Sequence, residues 1–437
     1  MKPLLLLTLL LTLQIKLTFS QSFNPLLAEK LQYTLDSFQT ANNIKGISAC
    51  VILPASGSWK GVSGNSHAGT PITTDMEFGI ASNTKLFTGV LLLKLAEHGI
   101  INLDDSLHEY LPTLNHVDST ITIRQLLNQT SGLADVNDIV GYADSVLSNP
   151  NHIYTPNEVV TWIGEPLFTP GSDWNYSNTN YILAGMIAES ATGQSYAQLL
   201  RDSIFTPLSM DSTFLDVYDS ILFTIAHPWQ NSTDNSATPR KALNSVAWAA
   251  GALYSTAGEM AHWYHSLFNG PFLNSSSINE LSSFVGSGNY SIGLFESSIL
   301  GRTVRHHGGS IWGGYNSSMM YDTATSAVIC VLINQNPSQA VIIARKLLSD
   351  IIGDPLAIEP EILQNHTALL YPNPSNGLVQ IDEPQQEIEH IRIINISGET
   401  ALETQATRFS IIHLPSGLYL IEVSSKGHIK HYRMLKQ

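Results

Sequence analysis

A serine and a lysine three residues apart form the first pattern in this sequence that suits nucleophilic chemistry. Ser82-Asn83-Thr84-Lys85 opens an apolar stretch rich in helix formers, and it is the one S-x-x-K tetrapeptide in the chain. Residues three apart share a helix face, so the Ser82 hydroxyl and the Lys85 amine should be neighbours. A serine attacks well only when a base takes its proton, and burial can lower a lysine pKa for that role. The alternative is a helix-capping serine beside an ordinary lysine.

A tyrosine and an asparagine form the second pattern, Tyr176-Ser177-Asn178. A phenol held among positive charges can ionise in part, so Tyr176 could act as a base and then as an acid. The Asn178 amide can hydrogen-bond both a lysine and a substrate carbonyl. The alternative is a loop tyrosine that packs under Trp174.

A histidine followed by glycines forms the third pattern, His307-Gly308-Gly309-Ser310. It lies on a predicted strand whose glycines would let a substrate backbone approach closely. A backbone N–H after the glycines could complete an oxyanion hole with an N–H at the helix start. A loop histidine is the alternative, and His306 fits the same pattern one residue earlier.

The predicted helices and strands that carry these residues indicate an α+β fold. Apolar periodicity predicts helices at 22–42, 82–98 and 338–352, and strands at 46–53, 59–63, 303–307, 316–321 and 327–334. Residues 100–280 are expected to be mostly helical. Strands at both ends with helices between them predict an antiparallel sheet flanked by helices, with an inserted helical region.

Residues 1–20 have the composition of a secretory signal peptide. Lys2 precedes an apolar run from Leu4 to Leu13, and small residues surround the expected cleavage site after Ser20. The apolar run is too short to span a bilayer, which needs about 20 helical residues. We expect cleavage and no transmembrane segment afterwards, with an uncleaved membrane anchor as the alternative.

Residues 366–437 are predicted to form a separate module after a linker at 353–365. Turn-forming residues at 371–377 and 414–417 alternate with short apolar strands at 391–396 and 418–423. Short strands separated by turns are typical of a small all-β sandwich. The domain before the linker then spans residues 21–352.

Composition excludes several classes of function. The chain of 437 residues carries 21 Lys+Arg against 36 Asp+Glu, a formal net charge of −15. Such a chain is unsuited to binding nucleic acid through phosphate contacts or to binding anionic lipid. Two cysteines exclude a disulfide-dense scaffold and a multi-cysteine zinc fold. We expect no metal and no cofactor.

In this order, the three patterns resemble the motifs of the serine β-lactamase and penicillin-binding superfamily. More narrowly, residues 25–350 resemble its class C β-lactamase and D-alanyl-D-alanine carboxypeptidase branch. The words YPNPSNG and LPSGLYLIEV, with the basic C-terminus, resemble the type A C-terminal sorting domain of the type IX secretion system. The second resemblance implies that an export machinery is a partner.

The first resemblance implies a role for each motif residue. Ser82 would be the acylated nucleophile, Lys85 its proton-transfer partner, and Tyr176 the base or proton shuttle. The substrate-binding residues would be Asn178, His307, Gly309 and Ser310. The N–H groups of Ser82 and Ser310 would form the oxyanion hole.

Two departures from the family pattern bear on the substrate. His307 stands where class C β-lactamases usually have lysine, which favours a carboxypeptidase-, aminopeptidase- or esterase-like activity. Gly308 replaces a threonine whose hydroxyl serves the substrate carboxylate in penicillin-recognising members. Arg305 should share a strand face with His307 and could anchor that carboxylate, although a surface role is the competing interpretation.

The resemblance also bears on the two cysteines. Cys50 and Cys330 fall in apolar strand runs, and the family places those strands side by side. A disulfide formed in an oxidising compartment and two buried free thiols both fit.

We therefore expect an exported serine hydrolase that works through an acyl-enzyme on a small-molecule or peptide substrate. Peptides ending in D-amino acids, such as cell-wall peptides, and small esters fit best. The two ends of the chain imply passage through the periplasm to a secreted or surface-attached state. A class C-type β-lactamase is the alternative within the superfamily, and a non-catalytic surface-binding protein that kept the fold is the alternative of another class.

Overall fold

The computed structural model describes residues 23–138, 146–311 and 313–353 of the first part of the chain. Beyond these it describes residues 370–371, 378–381, 389–395, 400–415, 417–425 and 428–436. The chain forms two compact units that divide between residues 360 and 361. The predicted signal peptide at 1–20 and nearly all of the predicted linker at 353–365 lie outside the described residues.

An antiparallel sheet forms the framework of the first unit. Within the described residues its strands follow the order Thr70–Pro71, Gly57–His67, Gly46–Leu53, Val328–Ile333, Tyr315–Asp322, Arg302–Ile311 and Phe295–Ile299. Strands from the two ends of the domain meet inside it, where Ile47 pairs with Ile333 and Ile52 with Val328. The predicted antiparallel sheet, built from both ends of the domain, is confirmed.

The strand Val328–Ile333 is buried on both faces of the sheet, which explains its unbroken apolar sequence. On one face, Ile329 packs in a cluster with the helices Pro25–Ala41 and Ala340–Ile352. On the other face, Cys330 belongs to the larger core that includes the helical region. Alternate side chains of one strand therefore hold two layers of helices against the sheet.

The helix Thr84–Glu97, called the central helix below, is buried along almost its whole length. A short 3-10 turn, Ala81–Asn83, leads into it. Gly99 follows its end with a φ of 68°, a left-handed conformation that glycine adopts readily and that suits the predicted stop. The apolar character all round the predicted helix at 82–98 thus reflects a position inside the core.

In its described residues, the region between 100 and 280 is less helical than its sequence predicts. Its longer helices are Asn178–Thr192, Lys241–Gly251 and Ala257–Asn269, and the shorter ones are Ile123–Leu127, Pro156–Val159, Tyr196–Leu200 and Ser275–Leu281. Single turns occur at Leu107–Glu109, Val136–Asp138, Val160–Trp162 and Arg201–Phe205. Short strands lie in this region at Phe214–Leu215, Trp229–Gln230, Thr233–Asp234 and Leu253–Ser255, and they pair with each other or with the strands Phe78–Gly79 and Gln335–Asn336 outside it. Frequent Asn, Asp, Gly and Pro favour turns over continuous helix in the remainder.

The second unit consists of strands in its described parts, as predicted. One sheet has the order Leu370–Tyr371, Leu378–Ile381 and Arg408–Ser410, and the other has Thr400–Thr404, His390–Asn395, Gly417–Ser425 and His428–Lys436. Side chains such as Val379, Ile393 and Ile421 form its own apolar core. The all-β character of the C-terminal region is confirmed.

The two cysteines lie directly opposite each other on the neighbouring strands Gly46–Leu53 and Val328–Ile333. Cys50 and Cys330 are both free thiols and both buried. Burial raises the pKa of Cys50 to about 12 and the pKa of Cys330 well above its ordinary value. Of the two states that the sequence left open, the structure contains the free thiols.

Candidate active site

The Ser82 hydroxyl and the Lys85 amine meet at the start of the central helix, as their spacing predicts. The 3-10 turn carries Ser82, and the first turn of the helix carries Lys85, whose Nζ lies 3.2 Å from Ser82 Oγ. Ser82 is partly exposed, whereas Lys85 is fully buried. The candidate nucleophile is therefore accessible, and its candidate base is shielded from water.

Three polar atoms surround the Lys85 amine. Besides Ser82 Oγ, Nζ contacts Asn178 Oδ1 at 2.6 Å and the Ala250 carbonyl oxygen at 2.8 Å. Burial lowers the pKa of Lys85 to about 7, and the Asp135 carboxylate opposes part of that shift. A neutral amine keeps two hydrogens, which Asn178 and Ala250 can accept, and this turns its lone pair toward Ser82. The arrangement suits a base that takes the serine proton.

The Asn178 amide is held in one orientation by a buried carboxylate. Asp135 Oδ2 accepts hydrogen bonds from Asn178 Nδ2 at 2.7 Å and from the Asn178 backbone N–H at 3.0 Å. With Nδ2 bound to Asp135, the amide oxygen must face Lys85. Asp135 thus acts on the lysine through Asn178, and it is a positioning residue.

The Tyr176 phenol lies beside the same amine. Lys85 Nζ is 5.0 Å from the centroid of its ring. Burial, with the neighbouring Tyr290, raises the pKa of Tyr176 well above its ordinary value, and a hydrogen bond with Ser82 opposes that rise only in part. The partial ionisation that the sequence suggested is wrong, because the desolvation of the phenolate outweighs the nearby amine. The Tyr176 phenol is therefore protonated at neutral pH.

The His307 ring is buried and neutral. Burial and the nearby Lys85 lower the pKa of His307 to about 3. Nδ1 donates to the Gly308 carbonyl oxygen at 2.6 Å, so Nε2 carries the lone pair and accepts from Tyr290 Oη at 3.3 Å. His307 therefore occupies the position of the third motif without supplying a positive charge there.

A glycine lets the strand Arg302–Ile311 lie against the turn that carries the nucleophile. A Cβ added at Gly309 would lie 2.3 Å from the Ile80 carbonyl oxygen and 2.9 Å from Ala81 Cβ. Ala81 itself has a φ of 49°, a strained conformation directly before Ser82. Gly309 thus allows the close approach of two backbones, and its contact with a substrate stays a prediction.

A cavity of about 330 Å³ opens at the serine. Ser82, Asn178 and Ser310 line it together, so residues of all three motifs reach one space. Its lining also includes the apolar residues Ile182 and Val246. The oxyanion hole expected from the N–H groups of Ser82 and Ser310 stays a prediction, and the shared cavity is compatible with it.

Arg305 is placed away from this cavity. Its guanidinium lies 3.4 Å from Glu296 Oε2 and stacks near the rings of Phe268 and Phe284. The residue shares the strand of His307, as expected, but its charge is committed to a neighbouring carboxylate. It therefore does not provide the carboxylate anchor that the sequence suggested.

Two acidic residues near the site were not assigned by the sequence. Asp135 holds Asn178, and Asp138 lines the cavity. Neither residue belongs to one of the three patterns that the sequence analysis identified. Their spacing alone gave no reason to prefer them over other acidic residues of an acidic chain.

Comparison with known proteins agrees with this geometry. The profile of the family described as Beta-lactamase matches residues 31–351, most of the chain. An accessible serine, a buried lysine beside it and the antiparallel sheet behind them define a serine hydrolase of the penicillin-binding superfamily. The chain belongs to the beta-lactamase family.

Three similar proteins illustrate its relationships. Protein flp of Staphylococcus aureus is 31% identical over 293 residues, which are 63% of this chain and 56% of that protein. A D-stereospecific amidohydrolase from a Streptomyces species is 29% identical, with a TM-score of 0.64 over 73% of this chain and 98% of that one. A D-amino acid amidase from Ochrobactrum anthropi SV3 is 27% identical, with a TM-score of 0.66 over 75% and 97% of the two chains. The chain spans a little over half the length of the curated relative.

The C-terminal unit matches a different family from the first unit. Residues 369–437 match the family described as Secretion system C-terminal sorting domain. Such a tail indicates export and an interaction with the type IX secretion machinery. In the part of the chain that the structure describes, no helix has the length and apolar character needed to cross a membrane.

Proposed function

We propose that this protein is a serine hydrolase that cleaves an amide or ester bond of a D-amino-acid derivative through an acyl-enzyme on Ser82. The observation that carries the proposal is the environment of the Lys85 amine. It is buried, its pKa is lowered to about 7, and it stands 3.2 Å from Ser82 Oγ. A lysine whose pKa lies near neutral pH suits a general base, because it can take a proton and return it.

The proposed acylation step moves one proton from serine to lysine. Ser82 Oγ forms a bond to the substrate carbonyl carbon, and its proton passes to the neutral Lys85 amine. The bond from that carbon to the leaving group then breaks. Tyr176 gives its phenol proton to the leaving group and recovers one from Lys85, so the charges balance. Asn178 and Asp135 hold the lysine during both transfers.

Deacylation follows the same path with water as the nucleophile. The water oxygen attacks the acyl carbon while Lys85 takes its proton. The bond between Ser82 Oγ and the acyl carbon breaks, and the serine regains its proton from the lysine. N–H groups at Ser82 and Ser310 would stabilise the oxyanion in both steps.

The D-configuration is supported by the similarity to two proteins described as D-stereospecific amidohydrolase and D-amino acid amidase. An activity on carboxylate-bearing substrates, such as β-lactams, has less support in this site. His307 is neutral, Arg305 is paired with Glu296, and Gly308 has no hydroxyl. An amide or an ester without that carboxylate fits these residues better.

The test compares D-leucine p-nitroanilide with its L-enantiomer on the full-length protein and on Ser82→Ala. The matched control is Ser172→Ala, which removes an exposed serine outside the cavity. We expect turnover of the D-anilide in the wild type and the control, an acyl adduct in the intact mass, and neither in Ser82→Ala. Turnover that survives in Ser82→Ala, or a wild type that prefers the L-anilide, contradicts the proposal. Rapid turnover of a penicillin with no D-anilide turnover would establish a β-lactamase instead.

A further inference from the structure

One helix that lines the catalytic cavity contains a strained residue that the proposed mechanism does not use. The helix Lys241–Gly251 contributes Val246, Ala247 and Ala250 to the lining of the cavity. Within this helix, Trp248 has a φ of 32° and a ψ of −119°, and the helix is kinked there. Glycine adopts such a conformation readily, whereas any other residue is strained in it. Sharp helix kinks usually occur at proline or glycine, so a tryptophan at this kink requires another cause.

The two residues after the kink direct their carbonyl oxygens to the central helix. The Ala249 oxygen accepts a hydrogen bond from Thr88 Oγ1 at 2.6 Å. The Ala250 oxygen accepts one from Lys85 Nζ at 2.8 Å. In a regular helix the carbonyl groups lie along the helix axis instead. The segment after the kink thus supplies one of the polar atoms that surround the proposed base.

The packing of the indole ring holds this strained backbone in place. Trp248 is 2% exposed, and its ring centroid lies 5.1 Å from that of Tyr196. A Cβ added at Gly185 would lie 2.8 Å from the indole, so the ring fits against a helix surface that has no side chain. Tyr196 Oη lies 2.6 Å from Thr88 Oγ1, the same hydroxyl that binds the Ala249 carbonyl. The indole ring and the backbone after it are therefore joined through Tyr196 and Thr88.

We propose that Trp248 is a positioning residue, whose strained backbone holds the Ala250 carbonyl against Lys85. The proposal rests on the hydrolase function proposed above and deepens it. Asn178 and Ala250 together accept both hydrogens of the neutral amine, so its lone pair faces Ser82. Without the Ala250 carbonyl, the amine could rotate away from the serine. The charged amine would also lose an acceptor, which would lower the pKa of Lys85 further.

The first experiment compares Trp248→Gly with Trp248→Ala. Both variants lose the indole, so they differ by one methyl group on the kinked backbone. Glycine reaches a φ of 32° at little cost and alanine does not, although alanine is the better residue in an ordinary helix. With D-leucine p-nitroanilide, we expect kcat/KM of Trp248→Gly to be at least about tenfold above that of Trp248→Ala. The acidic limb of kcat/KM should stay near pH 7 in the glycine variant and move to lower pH in the alanine variant.

The second experiment keeps the indole, and it decides the question if both Trp248 variants unfold. Thr88→Val removes the hydroxyl that binds the Ala249 carbonyl. We expect kcat/KM to fall at least about fivefold and the acidic limb to move to lower pH. The matched control is Thr34→Val, which removes a buried hydroxyl bound to Asp350 Oδ2 at 2.6 Å, outside the cavity. The control should lower the unfolding temperature and leave both kinetic quantities unchanged.

A serine-directed fluorophosphonate repeats both comparisons without a substrate of assumed class. In this reaction Ser82 Oγ forms a bond to phosphorus, fluoride leaves, and Lys85 takes the serine proton. The labelling rates of the variants should follow the same order as kcat/KM. Their acidic limbs should move in the same direction.

The outcomes separate the two proposals. If the wild type hydrolyses the D-anilide through Ser82, but Trp248→Gly is no faster than Trp248→Ala or Thr88→Val keeps the wild-type limb, the positioning role is wrong and the hydrolase stands. If the phosphonate labels Ser82 in the expected order while the anilide is not hydrolysed, the positioning role stands and the substrate class is wrong. If Ser82 is neither labelled nor acylated, both proposals fall together.

Discussion

At the scale of residues, the proposed chemistry depends on one buried amine. Lys85 has no exposed surface, and its hydrogen bonds to Asn178 and Ala250 fix where its lone pair points once it is neutral. Burial costs the charged form free energy, and the structure recovers part of it through the Asp135 carboxylate. The amine is thus balanced between its two protonation states near neutral pH.

This balance predicts a pH profile for acylation. Because the base must be neutral, the acylation rate should rise with pH through about 7, where Lys85 loses its proton. His307, with a pKa lowered to about 3, should add no second limb between pH 5 and 9. Stopped-flow acylation rates across that range check both statements. A rate that falls as pH rises through 7 would contradict Lys85 as the base.

Substitution of Asp135 should shift the pH profile of acylation to lower pH. Asp135 raises the pKa of Lys85, so Asp135→Asn should shift the acidic limb to lower pH. The same change removes a charged acceptor from Asn178, and a loss of about 1.5–3 kcal/mol corresponds to an acylation rate about 10- to 150-fold lower. Asp211→Asn serves as the control and should leave both quantities unchanged. A limb that stays in place, or moves to higher pH, would show that Asp135 does not act on Lys85.

The two glycines of the third motif should respond differently to a methyl group. Gly309→Ala forces Cβ to within 2.3 Å of the Ile80 carbonyl oxygen, so it should displace the strand from the turn of Ser82. We expect a loss of about 1–3 kcal/mol in the free energy of unfolding and a large fall in acylation rate. Gly308→Ala meets one atom, the Ser317 carbonyl oxygen at 3.6 Å, and should change stability by less than about 0.5 kcal/mol. Urea unfolding and acylation kinetics distinguish the pair, and equal effects would refute the close-approach explanation.

At the scale of elements, the pairing of strands decides the state of the cysteines. Cys50 and Cys330 face each other across the strands Gly46–Leu53 and Val328–Ile333, inside the core. Their raised pKa values and their burial should make both thiols unreactive in the folded protein. Alkylation of the exported protein without reductant should therefore add nothing before unfolding and two groups after it. Detection of a disulfide by mass would contradict this prediction.

The elements also show what a sequence can and cannot predict. The strand at 46–53 and the helix at 338–352 were predictable, because apolar runs bounded by glycine and polar residues have few other solutions. The loops between 100 and 175 were not, because their backbone is held by distant side chains. Gln129 Oε1, for example, accepts from the Ser177 backbone N–H at 2.9 Å. No local period reveals such a contact.

Some features of the candidate site were also predictable from the sequence, and others were not. The proximity of Ser82 and Lys85 follows from helical spacing, and it was predictable from four residues. The protonation states of Tyr176 and His307 depend on burial by groups from several elements, which spacing does not reveal. The separation of Arg305 from the cavity depends on its partner Glu296, on a neighbouring strand.

At the scale of the whole molecule, catalysis and sorting belong to separate units. The C-terminal unit has its own apolar core, and the division lies between residues 360 and 361. Removal of residues 361–437 should therefore leave the unfolding midpoint of the first unit and its Ser82-dependent turnover unchanged. In the native host, the truncated protein should accumulate in the periplasm, which fractionation and immunoblotting would show. Normal surface delivery of the truncated protein would refute the sorting role.

Strands from the two ends of the first unit pair in one sheet, and this pairing determines when the unit can finish folding. Ile47 pairs with Ile333, so the platform behind Ser82 closes only after almost the whole first unit is available. Contacts between residues so far apart in the chain form late and slowly in folding. A ribosome-bound or partly translocated chain that ends before residue 328 lacks the strand Val328–Ile333 and cannot assemble the sheet. We therefore expect no hydrolase activity from a chain that ends before residue 328.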